Sequence, residues 1–158
     1  MSILGIVHTI IAIIALLFAI AALIQEGIIN PFSNTGKIYS ILTAIASVTS
    51  FGLSKAGGFN PGHGIGILIL ILLGVAYLLG RQASRKRSLL LIQVFCMTLT
   101  LFLSLIPAIN ETLLRVPVGH PLSDGPTSPI VQSCIKVLLG LLVVGLVLQF
   151  FKVRQPAK

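Results

Sequence analysis

The sequence predicts an all-α fold, an integral membrane bundle of five transmembrane helices with the N-terminus outside and the C-terminus in the cytoplasm. The first observation is the composition of the 158 residues, which are 56% hydrophobic and only 9% charged. Soluble domains carry about 25% charged residues, so these charges are too few to cover a water-facing surface. The second observation is that the apolar residues fall into five long runs. The third is that the loops between the runs alternate between rich and poor in Lys and Arg.

These runs make one helical transmembrane domain over residues 1–158, because the chain is too short for a second domain. A spanning helix needs about 20 residues, so the two shorter runs must include some flanking polar residues. The predicted helices cover about residues 3–24, 37–54, 63–80, 88–109 and 130–151.

Small residues predict which faces of the helices pack. The first run has alanines at helical spacing, and such a stripe allows two helices to approach closely. His8 lies on the same stripe, so we expect it to face the bundle. In the third run, Gly66 and Gly74 are expected to permit a close neighbour in the same way. The alanines are Ala12, Ala15, Ala19 and Ala22.

Polar residues mark one face on two other runs. In the second run the hydroxyls either bond to their own helix in a packing face or line a polar groove. The fourth run carries a comparable polar side and ends near Pro107. The fifth run has Lys136 and Gly140 one turn apart. The polar faces comprise Ser40, Thr43, Ser47 and Ser50 in the second run, and Gln93, Cys96, Thr100 and Ser104 in the fourth.

The basic residues predict the orientation. With five spans, eight of the 11 Lys and Arg residues share one side, two lie on the other and Lys136 lies inside a run. Short loops rich in Lys and Arg stay in the cytoplasm, which places the protein in the plasma or inner membrane as a multi-pass protein. If residues 37–54 do not cross, the bundle has four spans and the N-terminus moves inside. The eight are Lys37, Arg81, Arg85, Lys86, Arg87, Lys152, Arg154 and Lys158.

Ionisable residues of the outer side form the candidate ligand site. Neutral imidazoles bind transition metals and haem, so His8 and His63 are candidate axial ligands of a haem b. Adding His120 gives a candidate zinc or copper site, although the spacing matches no tight zinc motif. Lys136 could contact an anionic or quinone-like ligand, which makes His8, His63 and Lys136 the candidate cofactor-binding set. The competing interpretation is that these residues are merely interfacial, where ionisable groups cost little.

Several functions are disfavoured by what the sequence lacks. Three acidic residues provide no carboxylate dyad, and Cys96 and Cys134 form no CxxC pair. The net charge of +8 sits beside apolar runs and Trp is absent, so lipid is a better partner than nucleic acid. We expect the bilayer as the main partner, with anionic lipids at Arg81, Arg85, Lys86 and Arg87, and a protein partner or homo-oligomer in addition.

The functional hypotheses are therefore three, and none decides whether the protein is an enzyme. The first is a membrane protein with a ligand or cofactor site near the outer surface, holding haem b, a metal or an anionic ligand. The second is a non-catalytic accessory subunit of a membrane complex. The third is a small-molecule transporter, which requires the hydroxyl face of the second run to line a cavity.

Overall fold

The computed structural model describes residues 2–53, 58, 60–82 and 86–155, and in these ranges the only regular structure is helical. Five α-helices are long and apolar enough to cross a membrane, which agrees with the predicted all-α architecture. The second helix meets this criterion together with the 3-10 turn Phe51–Leu53 that follows it. The helices are α1 (Ile3–Glu26), α2 (Asn34–Ser50), α3 (Pro61–Gly80), α4 (Arg87–Leu113) and α5 (Pro129–Arg154).

Serine side chains start three of the five helices. The hydroxyl oxygen of Ser33 accepts a hydrogen bond from the Gly36 amide at 3.2 Å, which satisfies an amide that the helix leaves unpaired. Ser2 and Ser128 play the same role for α1 and α5. Because Ser33 caps it, α2 begins at Asn34, a few residues before the apolar run predicted to start at 37. The first turn of α2 is therefore polar, which is why the apolar pattern of the sequence did not include it.

Each helix packs against the next one in the chain, from α1 to α5. Three alanines of the α1 stripe are buried at the centre, with Ala19 and Ala22 fully inaccessible. Their small side chains let α1 approach its neighbours closely, as the sequence predicts. Within the described residues, α5 contributes no side chain to this central cluster. Its members are Ala15, Ala19, Ala22, Ile29, Tyr39, Ile69, Leu73, Ala76, Cys96, Met97 and Leu101.

Two contacts between distant parts of the chain lie at one end of the bundle. A Cβ built on Gly27, just after α1, would lie 2.7 Å from the Lys152 ammonium nitrogen near the end of α5. The Arg87 guanidinium donates to the Gln155 carbonyl oxygen at 3.5 Å, which joins the start of α4 to the end of α5. We call this the basic end: it includes Lys37, Arg81, Lys86, Arg87, Lys152 and Arg154. Lys55, Arg85 and Lys158 lie outside the described residues.

The packing of α3 corrects one predicted face. Gly66 is buried, and a Cβ there would meet the Ser50 hydroxyl at 3.2 Å, so Gly66 does permit a close neighbour. Gly74 has no atom within 4 Å of such a Cβ. At 3.6 residues per turn, a spacing of eight residues rotates the face by about 80° and carries Gly74 away from the contact.

Candidate functional site

The side chain of His8, on α1, contacts α2. Its half-buried ring places Nδ1 3.0 Å from the Thr49 hydroxyl oxygen. The Thr49 hydroxyl donates its single proton to its own helix, to the carbonyl oxygens of Ile45 at 2.9 Å and Ala46 at 3.0 Å. When that proton stays on its own helix, the Thr49 oxygen accepts from His8, and the neutral imidazole then carries its proton on Nδ1. The Nε2 lone pair is then the one that could serve a ligand.

His63 is built into the start of α3. The Asn60 side chain accepts from the His63 amide at 3.1 Å, while the Asn60 amide faces His63 Nδ1 at 3.4 Å. This reciprocal arrangement is a capping box with His in the place usually taken by Glu or Gln. The buried ring also lies against Phe51, with the ring centroids 5.4 Å apart. A ligand at Nδ1 would compete with this cap.

His8 and His63 therefore contact the same short part of the chain, Thr49 to Phe51. The other two candidates are placed differently: His120 is exposed in the loop between α4 and α5, and Lys136 is exposed on α5. Over the described ranges, no three His, Cys, Asp or Glu side chains are grouped so that they could hold a metal ion. The predicted zinc or copper site at His8, His63 and His120 thus rests on the sequence alone.

The hydroxyl face of α2 is turned into the bundle. Thr43 and Ser47 are buried, and the hydroxyls of Ser40 and Ser50 each donate at 2.7 Å to a carbonyl of their own helix. Two of the four hydroxyls thus show the self-bonded arrangement expected of a packing face, whereas the hydroxyl oxygen of Thr43 is buried without a hydrogen-bond partner among the described residues. The polar groove that transport would require is the alternative, and it stays a prediction.

Cross-helix polar pairs are features that sequence reasoning did not identify. The Tyr39 hydroxyl lies 2.8 Å from the Thr100 hydroxyl and joins α2 to α4, fully out of contact with solvent. The Thr98 hydroxyl donates to Gln149 Oε1 at 2.7 Å and joins α4 to α5. A polar residue inside an apolar run is the signal that could have found them, because such groups bond across membrane helices.

Lys136 has no ion-pair partner in the part of the chain that the structure describes, where the one salt bridge joins Arg115 to Glu111. The other acidic side chain near a helix end, Glu26, accepts a hydrogen bond from the Thr35 hydroxyl at 2.8 Å at the basic end. Asp124 lies exposed in the loop before α5. The ammonium group is consequently a charge on a membrane helix with no carboxylate against it.

An apolar groove of about 340 Å³ runs between the end of α4 and the first half of α5, and Lys136 projects from a different face of α5. Ser133, one turn before Lys136, supplies a hydroxyl at its edge. Gly140, one turn after Lys136, has no atom within 4 Å of a built Cβ and leaves the helix surface open. The groove is lined by Ile109, Ser133, Cys134, Val137, Leu138 and Leu141.

Comparison of the chain with known protein families, with curated protein sequences and with solved structures finds no match in any of the three.

Proposed function

We propose that this protein is a non-catalytic subunit of a membrane complex and that it binds a partner helix through the first half of α5. The observation that carries this proposal is Lys136, an exposed ammonium group on an apolar helix with no ion pair in the described chain. It lies seven residues after Pro129, which is about 10 Å along the helix axis. A lysine at the bilayer centre costs about 2.5–3.5 kcal/mol, and less toward the ends where it can snorkel.

The chemistry of Lys136 indicates the partner. A carboxylate on a neighbouring helix would pair with the ammonium group and remove most of the cost of its burial. A second copy of this chain is a poor source of that carboxylate, because Glu111 is paired with Arg115, Glu26 lies at the opposite end and Asp124 lies in the loop before α5, outside any membrane helix. We therefore infer a different membrane protein with an Asp or Glu inside a transmembrane helix.

The face of α5 that carries Lys136 supplies the apolar part of the contact. The side chains of Leu139 and Val143 are 50% and 55% exposed on or next to this face, as expected of a surface that lipid or another helix covers. Gly140 lies on the same face and allows a second backbone to come close, which favours a helix over a disordered acyl chain. The partner helix would lie along this face with its carboxylate directed at Lys136.

Site-specific photocrosslinking in native membranes tests this proposal. A photoreactive amino acid at Leu139 should give one crosslinked protein, identified by mass spectrometry as carrying an acidic residue inside a membrane helix. Lys136→Leu should abolish the crosslink and Lys136→Arg should keep it, while a probe at Leu148, on another face of α5, should give none. A crosslink that persists in Lys136→Leu would refute the proposal, and a crosslink to a second copy would replace the hetero-complex with a homo-oligomer.

A ligand or cofactor site at the outer end is the second candidate. The observation that favours it is the His8 tautomer, since the Nδ1–H bond to Thr49 leaves Nε2 able to coordinate haem b or a metal. Haem would give the purified protein a Soret band that shifts on reduction. The band should be lost in His8→Ala and His63→Ala. A colourless protein without stoichiometric metal would exclude haem and metal, and leave Lys136 with a quinone-like or other anionic ligand.

Both candidates assume that the basic end is cytoplasmic and the N-terminus outside, in a plasma or inner membrane. This orientation is a proposal supported by the clustering of Lys and Arg at one end. A cysteine introduced at Ser2 should react with an impermeant reagent in intact cells. Labelling only after permeabilisation would contradict the orientation.

A further inference from the structure

A second groove lies at the basic end, between the α1–α2 connection, α2 and α3. Its volume is about 230 Å³, below the usual range of about 300–1,000 Å³ for drug-sized ligands. One part of its wall is polar, with Lys37 and Ser40, and the rest is apolar, with Ile41 and Leu73. A headgroup and the first part of an apolar chain fit this division better than a free polar metabolite.

The aromatic wall of the groove is built by close packing. The rings of Phe32 and Tyr77 are stacked with their centroids 5.2 Å apart and their planes at 26°. Phe32 rests on Gly80, where a Cβ would come within 2.4 Å of the Phe32 ring. A larger residue at position 80 would displace the ring, so the absence of a side chain there shapes the groove.

Positive charge surrounds this wall. Lys37 lines the groove and its side chain is exposed. The Arg81 guanidinium carbon lies 5.9 Å from the centroid of the Tyr77 ring, which brings a second cation to the same place. The nearby carboxylate of Glu26 is bonded to the Thr35 hydroxyl and does not line the groove. The groove therefore attracts an anion.

Ser40 favours a ligand that carries a hydrogen-bond donor. Its hydroxyl donates to the Gly36 carbonyl oxygen at 2.7 Å, so its oxygen can only accept from a ligand. The phosphodiester of a lipid headgroup has no hydrogen-bond donor to offer, whereas an alcohol group on the headgroup has one. The neighbouring Ile41, 52% exposed, continues the groove along the apolar surface of α2.

We propose that this groove binds one anionic phospholipid with a hydroxyl-bearing headgroup, such as phosphatidylglycerol. The phosphate lies between Lys37 and Arg81, a headgroup alcohol donates to Ser40, and an acyl chain follows Ile41 and Leu73. This site differs from general attraction of lipid to the basic end, because it depends on particular residues of α2 and α3. It does not depend on a partner at Lys136 or on a ligand at His8.

Tyrosine fluorescence offers a probe that the sequence makes selective. The chain has no Trp and only two Tyr residues. Tyr39 is fully buried, whereas Tyr77 is 50% exposed at the groove, so a quencher in the lipid reports mainly on Tyr77. The full chain is reconstituted in phosphatidylcholine vesicles containing a minor, equal amount of either brominated phosphatidylglycerol or brominated phosphatidylcholine. We expect the phosphatidylglycerol to quench more strongly.

Variants at exposed positions then distinguish binding at the groove from general attraction of anionic lipid to the basic end. Lys37→Gln and Arg81→Gln should each lower the preference for phosphatidylglycerol about fivefold, as expected for the loss of one direct hydrogen bond to the phosphate. The matched control is Lys86→Gln, which removes one charge from the same end but from outside the groove, and which should keep the preference. Ser40→Ala should lower the preference for phosphatidylglycerol over brominated phosphatidylmethanol, a phosphodiester of the same charge whose headgroup has no alcohol. Circular dichroism verifies that each variant is helical.

Three results would overturn the proposal. Equal quenching by the two brominated lipids would show that no anionic lipid is selected. An equal loss in Lys86→Gln would show that the charge of the basic end acts as a whole. Relief of quenching by inorganic phosphate at constant ionic strength would assign the groove to a free phosphate instead of a lipid headgroup.

Discussion

The first four helices and the fifth are held by different means. Helices α1 to α4 share a central cluster in which Ala19, Ala22 and Ala76 are fully buried. Helix α5 buries only Val131, Gln149 and Val153, and two of these three lie toward the basic end. A mostly apolar helix held near one end has an uncovered surface along the rest of its length. Helices α1 to α4 therefore form a unit with a shared core, which we call the four-helix body. Helix α5 packs on the outside of this body and leaves most of its surface exposed.

The largest effect should come from closing the tightest approach in the four-helix body. A Cβ built at Gly36 would lie 1.9 Å from the Asn30 carbonyl oxygen, so Gly36→Ala must displace backbone. We expect a loss of about 3 kcal/mol in the free energy of unfolding, measured by denaturant titration in mixed micelles. Gly74→Ala is the control, because its Cβ meets nothing and alanine stabilises a helix interior by about 0.5–1 kcal/mol. Equal effects at the two positions would mean that the α1–α2 connection is not packed as described.

Enlarging side chains compares the body with α5 directly. Ala19→Leu should destabilise the isolated protein by about 2 kcal/mol, because the side chain has no accessible surface and the added atoms must displace neighbours. Gly140→Leu should not lower the same free energy, since its surface is open and glycine is unfavourable in a helix interior by about 0.5–1 kcal/mol. The same unfolding titration measures both. A large loss from Gly140→Leu in the isolated chain would contradict the exposed surface of α5.

The hydrogen bond from Thr98 to Gln149 tests how α5 is attached. Thr98→Val leaves the buried Gln149 amide without its donor and should cost about 1 kcal/mol of unfolding free energy, near the upper range for membrane helices. Thr112→Val is the matched control, because the Thr112 hydroxyl donates only to Ala108 of its own helix. The double variant Thr98→Val/Gln149→Leu should recover part of the loss. If the two single variants behave alike, this bond does not hold α5.

The smallest effect concerns the charge of Lys152, which lies at the carboxyl end of α1. A cation there interacts favourably with the helix dipole, so Lys152→Gln should cost about 0.3–1 kcal/mol. The loss should shrink in high salt, because exposed charges are screened. Lys86→Gln should have the opposite sign, since Lys86 precedes the first turn of α4, where a positive charge is unfavourable. Thermal unfolding at low and high salt measures both effects. Stability changes of the same sign in the two variants would contradict an interaction with the helix dipoles.

Much of the body follows from the sequence, because composition and spacing determine it. Long apolar runs predict helices that can span a membrane, and small residues three and four apart predict the buried stripe of α1. The polar side of the fourth run is also turned inward, with Gln93, Cys96 and Thr100 buried. These features depend on one helix at a time, which is what a sequence pattern describes.

Features that depend on two helices were harder to predict. The contact of His8 with Thr49 needs the rotation of α1 and α2 about their axes, which no single run specifies. The exposure of Lys136 likewise depends on where α4 lies against α5. The sequence placed His8, His63 and Lys136 at one side but could not show that His63 caps α3 while Lys136 faces outward.

The contact between Gly27 and Lys152 joins the end of the first helix to the end of the last. The contact can form only once α5 has been made, because α5 follows the other four helices along the chain. The central cluster of α1 to α4 needs no residue of α5. A variant truncated before Lys152 should therefore lose this contact while keeping the cluster.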